Sequence, residues 1–544
     1  MKRIVSIIVS CVLVVSTVVF NISVEAVTNP FNCNFVTGAI QETIVPISDN
    51  DTSGLPAISG TLPSTVDLSE SDYFPCVRSQ DSMLSCTAWA TTYYQFGYQV
   101  AAMNSWNAKE DATKQFSPKW TYNLENNGNN RGISFSEAYY VLSNHGAVRY
   151  SEFTPGTHTN YKEYTEWYLN KEYMKKALQY RVSDYKYLSF SNSSAKTPII
   201  SPNSVSLSVM KSLLNSGNIL TFSTDMGEWD YEVLANQYDS ALDGEYVCIK
   251  QFDANKRWDG HAMAIVGYDD NISYDLNGDG IIQKYEKGAL KIVNSWGENY
   301  GNDGFMWVMY DALNTVSNTN VQNVENRKAL MDDYAYYVIT VDSYPLDLFV
   351  EISINNVNRN QVLVQLGNSN ESISYPENSI NTFLKFEGGE FNLSGLEGNP
   401  PIATLVFDYG ELCETNSVRK NYYVSIQDCK NGQETMINSI HLIDNTGKIV
   451  VSDEINNSID ASSYVKKYKI GMVGDINNDA RIDNLDVSLL QSYINNVYNL
   501  SDEETSVSDT NGDGNIDIKD VSELSKYIAG RYENLHNGHF AFIN

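Results

Sequence analysis

Four residues that lie far apart in the chain, Gln80, Cys86, His261 and Asn294, have the types needed to break an acyl bond by nucleophilic attack. That chemistry needs a thiolate, an imidazole to take and return the proton, a group that holds the imidazole, and donors for the oxyanion. Each residue stands in a context that suits one of these parts. Cys86 opens a stretch, residues 85–103, in which Trp89, Tyr93, Phe96 and Val100 recur at spacings of three and four, so a buried helix is expected there. A thiol at a helix N-terminus is favoured as the thiolate. Gln80 lies on a polar turn six residues earlier, where its carboxamide and the Cys86 N–H can address one developing oxyanion. His261 follows Asp259-Gly260 and opens an apolar run, and Asn294 closes another before Ser295-Trp296-Gly297. The Asn294 carboxamide can accept the far imidazole N–H and fix the ring. Of the six histidines only His145, His158 and His261 fall in residues 61–340, and only His261 begins such a run.

The elements that must carry these residues are readable in outline. Helices are expected over 161–180 and 204–214, and strands over 261–268, 289–295 and 305–310. From about residue 345 to 465 the pattern changes to alternating runs (348–354, 361–366, 404–407, 422–426) punctuated by Gly, Asn and Pro, which predicts an all-β sandwich. Tyr409, Tyr422 and Tyr423 in that region can be packed core or can stack on sugar rings, so a spacer and a carbohydrate-binding module both stay open. Residues 27–60 form a polar lead-in too short and too unpatterned for a helical inhibitory segment.

A second chemistry is written in the carboxylates. Asp475, Asn477, Asp479, Asp483 and Asp486 recur 34 residues later as Asp509, Asn511, Asp513, Asp517 and Asp520, which places oxygen ligands at loop positions 1, 3, 5, 9 and 12 twice. A hard cation such as Ca²⁺ takes six to eight oxygens in this arrangement, with a backbone carbonyl at position 7, here Arg481 and Asn515. Gly514 suits the sharp turn at position 6, where the first loop has Ala480. Each loop leads into a helix, 487–494 and 521–528. Asp275, Asn277, Asp279 and Glu286, with Gly280 at the turn, give a third loop of this kind between the runs that hold His261 and Asn294.

Composition bounds the rest. A chain of 544 residues with 42% apolar residues is long enough for several cores, and a formal net charge of −30 argues against nucleic acid or an anionic membrane as the main partner. Lys2 and Arg3, an apolar run over 4–20 and small residues before a cleavage point after Ala26 predict a secretory signal over residues 1–26, and no later stretch is apolar enough to span a bilayer. Six cysteines remain beyond Cys11: Cys33, Cys76, Cys86, Cys248, Cys413 and Cys429. Cys413 with Cys429, and Cys76 with Cys248 or Cys33, are the pairings to consider.

Two resemblances follow from these motifs. Residues 77–86, ending Ser85-Cys86, the run Asp259-Gly260-His261-Ala262-Met263-Ala264-Ile265-Val266-Gly267-Tyr268, and Asn294-Ser295-Trp296-Gly297 with Gly301 and Gly304-Phe305 resemble the papain-like cysteine proteases over about residues 62–311. The resemblance implies Gln80, Cys86, His261 and Asn294 as the catalytic set, Trp296 as a shield over the Asn294–His261 contact, and Arg131, Gly132, Ile133, Ser134 and Trp296 at the substrate cleft. Thr87 stands where the family usually has Trp, and Arg131 where it has the first Gly of the substrate strip; Arg131 there would narrow the cleft or attract an acidic substrate. The C-terminal repeat resembles a type I dockerin, which implies a scaffoldin cohesin as partner, with Asn484, Leu485, Ile518 and Lys519 selecting it. The expected chain is therefore multidomain: signal (1–26), lead-in (27–60), an α+β two-lobed papain-like protease domain (61–340), an all-β sandwich (345–465) and a small α-helical dockerin with paired calcium loops (470–535). The expected activity is that of an extracellular, cellulosome-associated peptidase with Ca²⁺ in two dockerin loops and a third in the protease domain. The competing class is an inactive protease fold used as a binding module on the scaffold.

Overall fold

The computed structural model describes residues 37–40, 61–156, 160–189, 195–226, 228–235, 240–252, 260–321, 327–341, 343–344, 346–413 and 419–543. The expected signal, most of the lead-in, Cys11, Cys33, His158 and Asp259 lie outside them.

Residues 61–340 are built on a ten-stranded sheet. Its spine is the strand Gly260–Ser273, whose first ten residues are all buried because helices and neighbouring strands cover both faces. The short strand Thr65–Asp67, Leu220–Asp225 and Lys287–Val293 pair with it antiparallel. Gly267 permits the approach of the first of these, since a Cβ there would lie 2.3 Å from the Val66 carbonyl oxygen. Lys287–Val293 continues to Phe305–Met309, which runs parallel to Tyr246–Phe252.

The expected helix over 85–103 is present as one continuous rod: an α-turn Cys86–Ala88, a π-helical stretch Trp89–Phe96 and an α-helix Gly97–Met103. A π-helical stretch of this kind often marks a functional site. The helix expected over 161–180 is two short ones, Tyr161–Thr165 and Lys171–Ala177. Between them the Trp167 N–H donates to the Ser394 carbonyl at 2.8 Å, a tertiary bond that takes the backbone out of the helix.

The β-rich region is a sandwich. One sheet has the order Ile402–Asp408, Leu348–Asn355, Thr435–Asp444, Ile449–Ile459, and the other Asn378–Lys385, Val362–Ser369, Lys420–Asp428, Ser463–Met472, Phe540–Ile543. The second sheet extends past residue 465 and is completed by a strand from beyond the C-terminal repeat. Tyr409, Tyr422 and Tyr423 are buried in the sandwich, so these rings are core and none offers a platform for sugars.

The sandwich shares one apolar core with the helices of residues 86–177. Trp120 and Trp167 meet Phe383 edge-on at centroid distances of 6.4 and 5.3 Å, and His145 sits against Phe383 and Phe407. Burial pushes the His145 imidazole down to about 3, so this histidine is a neutral core residue. Arg181 Nη2 donates to Asp408 Oδ2 at 2.5 Å across the junction, with both side chains almost fully buried. A domain tied on by a flexible spacer would bury no such pair.

The five described cysteines are all free. Cys413 accepts from the Tyr422 hydroxyl near the start of the strand Lys420–Asp428, whereas Cys429 follows its end. That nine-residue strand separates them, at roughly 3.4 Å per residue a distance no disulfide can span. Cys76 lies by the Tyr93 hydroxyl and Cys248 by the Lys250 carbonyl, so they do not pair either.

Asp408→Asn removes the charge that compensates the buried Arg181 guanidinium, and a loss of about 3 kcal/mol is expected. Urea unfolding of the two proteins, followed by tyrosine and tryptophan emission, measures it.

Candidate active site and cation loops

The imidazole is the best-defined part of the site. His261 Nε2 and Asn294 Oδ1 are 2.7 Å apart, and the Trp296 indole stacks on the ring at 4.5 Å with an interplanar angle of 28°. His261 and Asn294 are fully buried and Trp296 is 3% exposed. Trp296 therefore covers the His261–Asn294 contact and does not line a substrate pocket. The other nitrogen, Nδ1, has no hydrogen-bond partner. It is the nitrogen left for proton exchange with a nucleophile.

The thiol is held from the same strand. Backbone groups of Ala262, the residue after His261, and of Thr87 and Gly38 lie close enough to the Cys86 sulfur to favour its thiolate, an effect smaller than that of burial. Cys86 is fully buried, and that burial pushes its thiol up to about 11. Burial likewise pushes His261 down to about 4, against the raising effect of the Asn294 bond. Both groups are thus neutral between those values.

Gln80 is fixed from two directions. Its Nε2 donates to the Met83 carbonyl at 2.6 Å, and its Oε1 accepts from the Ser295 hydroxyl at 2.5 Å. Its backbone N–H donates to the Ser295 carbonyl at 2.7 Å, and Ser79 bridges Trp296 antiparallel. The Gln80 turn is thereby tied to the Asn294 segment.

The residues expected at the cleft divide. Gly132 and Ile133 form a backbone edge. Thr87 Oγ1 donates to the Ile133 carbonyl at 2.8 Å, which gives the threonine beside Cys86 a structural role: it ties the Cys86 helix to that edge. Arg131 neither narrows the cleft nor offers its charge to it. Its Nη2 donates to the Glu125 carbonyl at 2.5 Å and pairs with Glu137. Ser134 caps the helix Phe135–Asn144 in a reciprocal capping box with Glu137, so its hydroxyl is structural. Asn130, which no motif singles out, accepts from the Leu84 N–H at 2.9 Å and the Tyr122 hydroxyl at 2.8 Å and donates to the Ser82 carbonyl at 3.1 Å. It joins the edge to the loop that leads into Cys86.

The cleft is filled by the chain itself. The N–H groups of Gly38 and Ala39 both donate to the Gly260 carbonyl at 2.9 Å, and Ala39 bridges Ile133 in parallel sense. The fit is close: a Cβ on Gly38 would lie 2.4 Å from the Leu84 carbonyl oxygen, and one on Gly132 would lie 1.8 Å from the Gly38 carbonyl oxygen. This strap, residues 37–40, belongs to the lead-in in which the sequence shows no inhibitory pattern. Its backbone pairing leaves no periodic signature, and the two small residues Gly38 and Ala39 are its only trace.

The three acidic loops share one hydrogen-bond scheme. The position 1 carboxylates Asp275, Asp475 and Asp509 accept from the position 6 N–H groups of Gly280, Ala480 and Gly514. The position 12 carboxylates Glu286, Asp486 and Asp520 accept from the N–H groups of positions 2 and 3 through one oxygen, and of position 9 through the other. Among the described residues no three His, Cys, Asp or Glu side chains close in on a common point. Asn277, Asn477 and Asn511, however, bring the position 3 carboxamides beside the position 5 aspartates. Burial and neighbouring carboxylates push Asp475, Asp486 and Asp520 up, a strain that a bound cation relieves, so the donor set fits Ca²⁺. Asp483 and Asp517 at position 9 act as N-caps of the helices Asn484–Ile494 and Ile518–Ile528. Asn484, Leu485, Ile518 and Lys519 are all exposed, and Lys519 pairs with Asp513 at 2.8 Å.

Residues 473–529 match the family "Dockerin type I domain", so the chain carries a dockerin at that place. No curated protein matches the chain. Among solved structures it is similar to xylellain, a cysteine protease from Xylella fastidiosa (20% identity, 59% of this chain and 100% of that one, TM-score 0.37). It is also similar to a digestive procathepsin L proteinase from Tenebrio molitor larval midgut (16%, 52% and 69%, 0.33) and to procathepsin B from Trypanosoma congolense (12%, 56% and 87%, 0.34).

Gly38→Val cannot keep the strap seated, because its side chain meets the Leu84 backbone. The reactive thiolate in the closed chain emerges only as pH rises toward about 11. In the variant, water reaches the thiol and the imidazole, and alkylation of Cys86 by iodoacetamide at pH 7 is expected to be at least about tenfold faster, with the pH–rate profile moved to lower pH. Mass spectrometry of the Cys86 peptide reads both. Equal rates and an unchanged alkaline profile would show that the strap does not govern the thiol.

Proposed function

We propose that the chain is a secreted papain-like cysteine endopeptidase, held closed by residues 37–40 and carried on a cellulosome-type scaffold through its dockerin. The observation that carries this reading is the buried His261–Asn294–Trp296 stack on the strand whose next residue, Ala262, has its backbone beside the Cys86 sulfur. With the cleft open, His261 Nδ1 takes the Cys86 proton, and the thiolate so formed attacks the peptide carbonyl carbon while the Cys86 N–H and the Gln80 carboxamide hold the oxyanion. The C–N bond breaks as His261 gives its proton to the leaving amine. His261 then takes a proton from water, and the hydroxide so formed hydrolyses the thioester. Asn294 keeps the imidazole oriented throughout. Arg131, Ser134 and Trp296 position the cleft, while Gly132 and Ile133 supply backbone to an extended peptide.

The experiment is hydrolysis of a mixed peptide library by the reduced, calcium-loaded Gly38→Val chain, compared with the same chain carrying Cys86→Ala as well. Loss of all cleavage on Cys86→Ala, roughly 10⁴-fold or more, is expected. The second reading, an inactive binding module, is favoured by the neutral state of Cys86 and His261 behind the strap. It prevails if the opened chain cuts nothing and Cys86 stays unalkylated.

The calcium loops have a separate role. Asp475, Asn477, Asp479, Asp483 and Asp486, and Asp509, Asn511, Asp513, Asp517 and Asp520, are proposed to hold one Ca²⁺ each, and the exposed Asn484, Leu485, Ile518 and Lys519 to meet a cohesin. Asp275, Asn277, Asp279 and Glu286 are proposed to hold a third ion at the hairpin between the His261 and Asn294 strands. Chelation is expected to abolish cohesin capture on a sensor chip and to lower the thermal midpoint of the full chain by several degrees. Capture that persists in chelator would end the calcium-dependent part.

A further inference from the structure

The sandwich reaches the cleft through one corner. Lys385 ends the strand Asn378–Lys385 and puts its Nζ within 3.0 and 2.7 Å of the two carboxylate oxygens of Glu125, whose side chain is fully buried. Three residues on, the N–H groups of Gly388 and Gly389 both donate to Asn127 Oδ1 at 2.9 Å. The two chains touch so closely that a Cβ on Gly128 would lie 2.8 Å from the Gly388 carbonyl oxygen. From this turn two links run forward to the cleft. Arg131 binds the Glu125 carbonyl, and Asn130 clamps Ser82 and Leu84. Directly beyond them Ile133 pairs with Ala39 of the strap, so this edge already takes a backbone bond from another segment.

We infer that the sandwich corner 385–389 is a positioning element of the cleft: through Glu125 and Asn127 it fixes the 131–133 backbone along which an extended peptide lies. Lys385 and Asn127 are then positioning residues, and the sandwich is part of the rear wall of the binding site. That peptides are substrates rests on the peptidase reading above; the restraint on the edge does not. If the edge could retreat by an ångström, its hydrogen bonds to an extended backbone would lengthen beyond use. Long peptides would suffer, while small substrates that reach only Cys86 and His261 would not.

Asn127 has φ of 54°, a left-handed conformation that glycine adopts freely. Asn127→Gly therefore deletes the acceptor without straining the turn, whereas Asn127→Asp keeps an acceptor in place. Lys385→Met removes the second tie. Hydrogen exchange of the full chain, read by mass spectrometry, is expected to show residues 128–134 exchanging at least about tenfold faster in Asn127→Gly and in Lys385→Met, with the strand Lys287–Val293 unchanged and with Asn127→Asp near wild type. In the Gly38→Val background, the same two variants are expected to raise KM about tenfold for peptides with three residues on the acyl side and to leave kcat within twofold. A single-residue ester is expected to be cleaved as before. Wild-type exchange over 128–134 in a folded Asn127→Gly chain overturns the inference, whatever the chain cleaves. A chain with the expected exchange that cleaves no peptide overturns the peptidase reading alone.

Discussion

The register between two antiparallel strands sets the site. Ala264 lies opposite Val293 and Ile265 opposite Ile292, so His261 near the start of one strand and Asn294 just past the end of the other are brought to hydrogen-bond distance. A slip of one residue would turn either side chain to the opposite face of the sheet. The same strands carry Trp296 over the imidazole and Ser295 against Gln80. Three of the four residues of the chemistry therefore depend on one strand pair. Cys86 follows Gln80 by six residues and arrives from outside that pair, at the head of a helix that Thr87 and Asn130 tie to the facing edge. The acidic loop 275–286 closes this hairpin, so any ion it holds acts on the register itself.

Electrostatics and closure are consistent with each other. A thiolate and an imidazolium buried without water would carry a large desolvation cost, and the strap makes the site dry. The pair is accordingly neutral in this state, with Cys86 pushed up and His261 pushed down by the same burial. Gly38 and Ala39 each donate a backbone hydrogen bond to the carbonyl of Gly260, the residue before His261. The strap lies parallel to the Ile133 edge, and its two smallest residues stand where side chains would collide with Leu84 and Gly132.

Local patterns were legible in the sequence, and contacts between distant segments were not. The Cys86 helix, the His261 and Asn294 strands and the helices after the two C-terminal loops all have periodic or motif signals within a dozen residues, and each stands where those signals put it. The break at Trp167 has no local cause, since it comes from a backbone bond to Ser394. Tyr409 and Tyr423 read as well as platforms as they do as core, because exposure depends on which sheet face meets the other. The free cysteines 413 and 429 look pairable by spacing and are separated by a strand that runs straight between them. Arg131 reads as a cleft charge because no motif says that the Glu125 carbonyl and the Glu137 carboxylate, each six residues away, take its guanidinium.

The C-terminal strand extends this argument to the dockerin. Phe540–Ile543 follows the second acidic loop of the dockerin and its helix, yet it pairs with Ser463–Met472 and so completes a sandwich sheet. Arg419 reaches from the sandwich to the first loop, where its Nη2 donates to the Ile476 carbonyl at 2.9 Å and its N–H to Asn478 at 2.7 Å. Asn537, past the second loop, donates to the Asp509 carbonyl and accepts from Lys448 of the sandwich. The dockerin is thus held at both ends instead of hanging from a linker, with the exposed Leu485 and Ile518 turned to solvent. The two loops thus pack on the edge of the sandwich, and the far corner of that sandwich holds the turn that precedes the 131–133 edge. The three regions are therefore joined by continuous backbone and ion-pair contacts from the dockerin loops to the backbone beside Cys86.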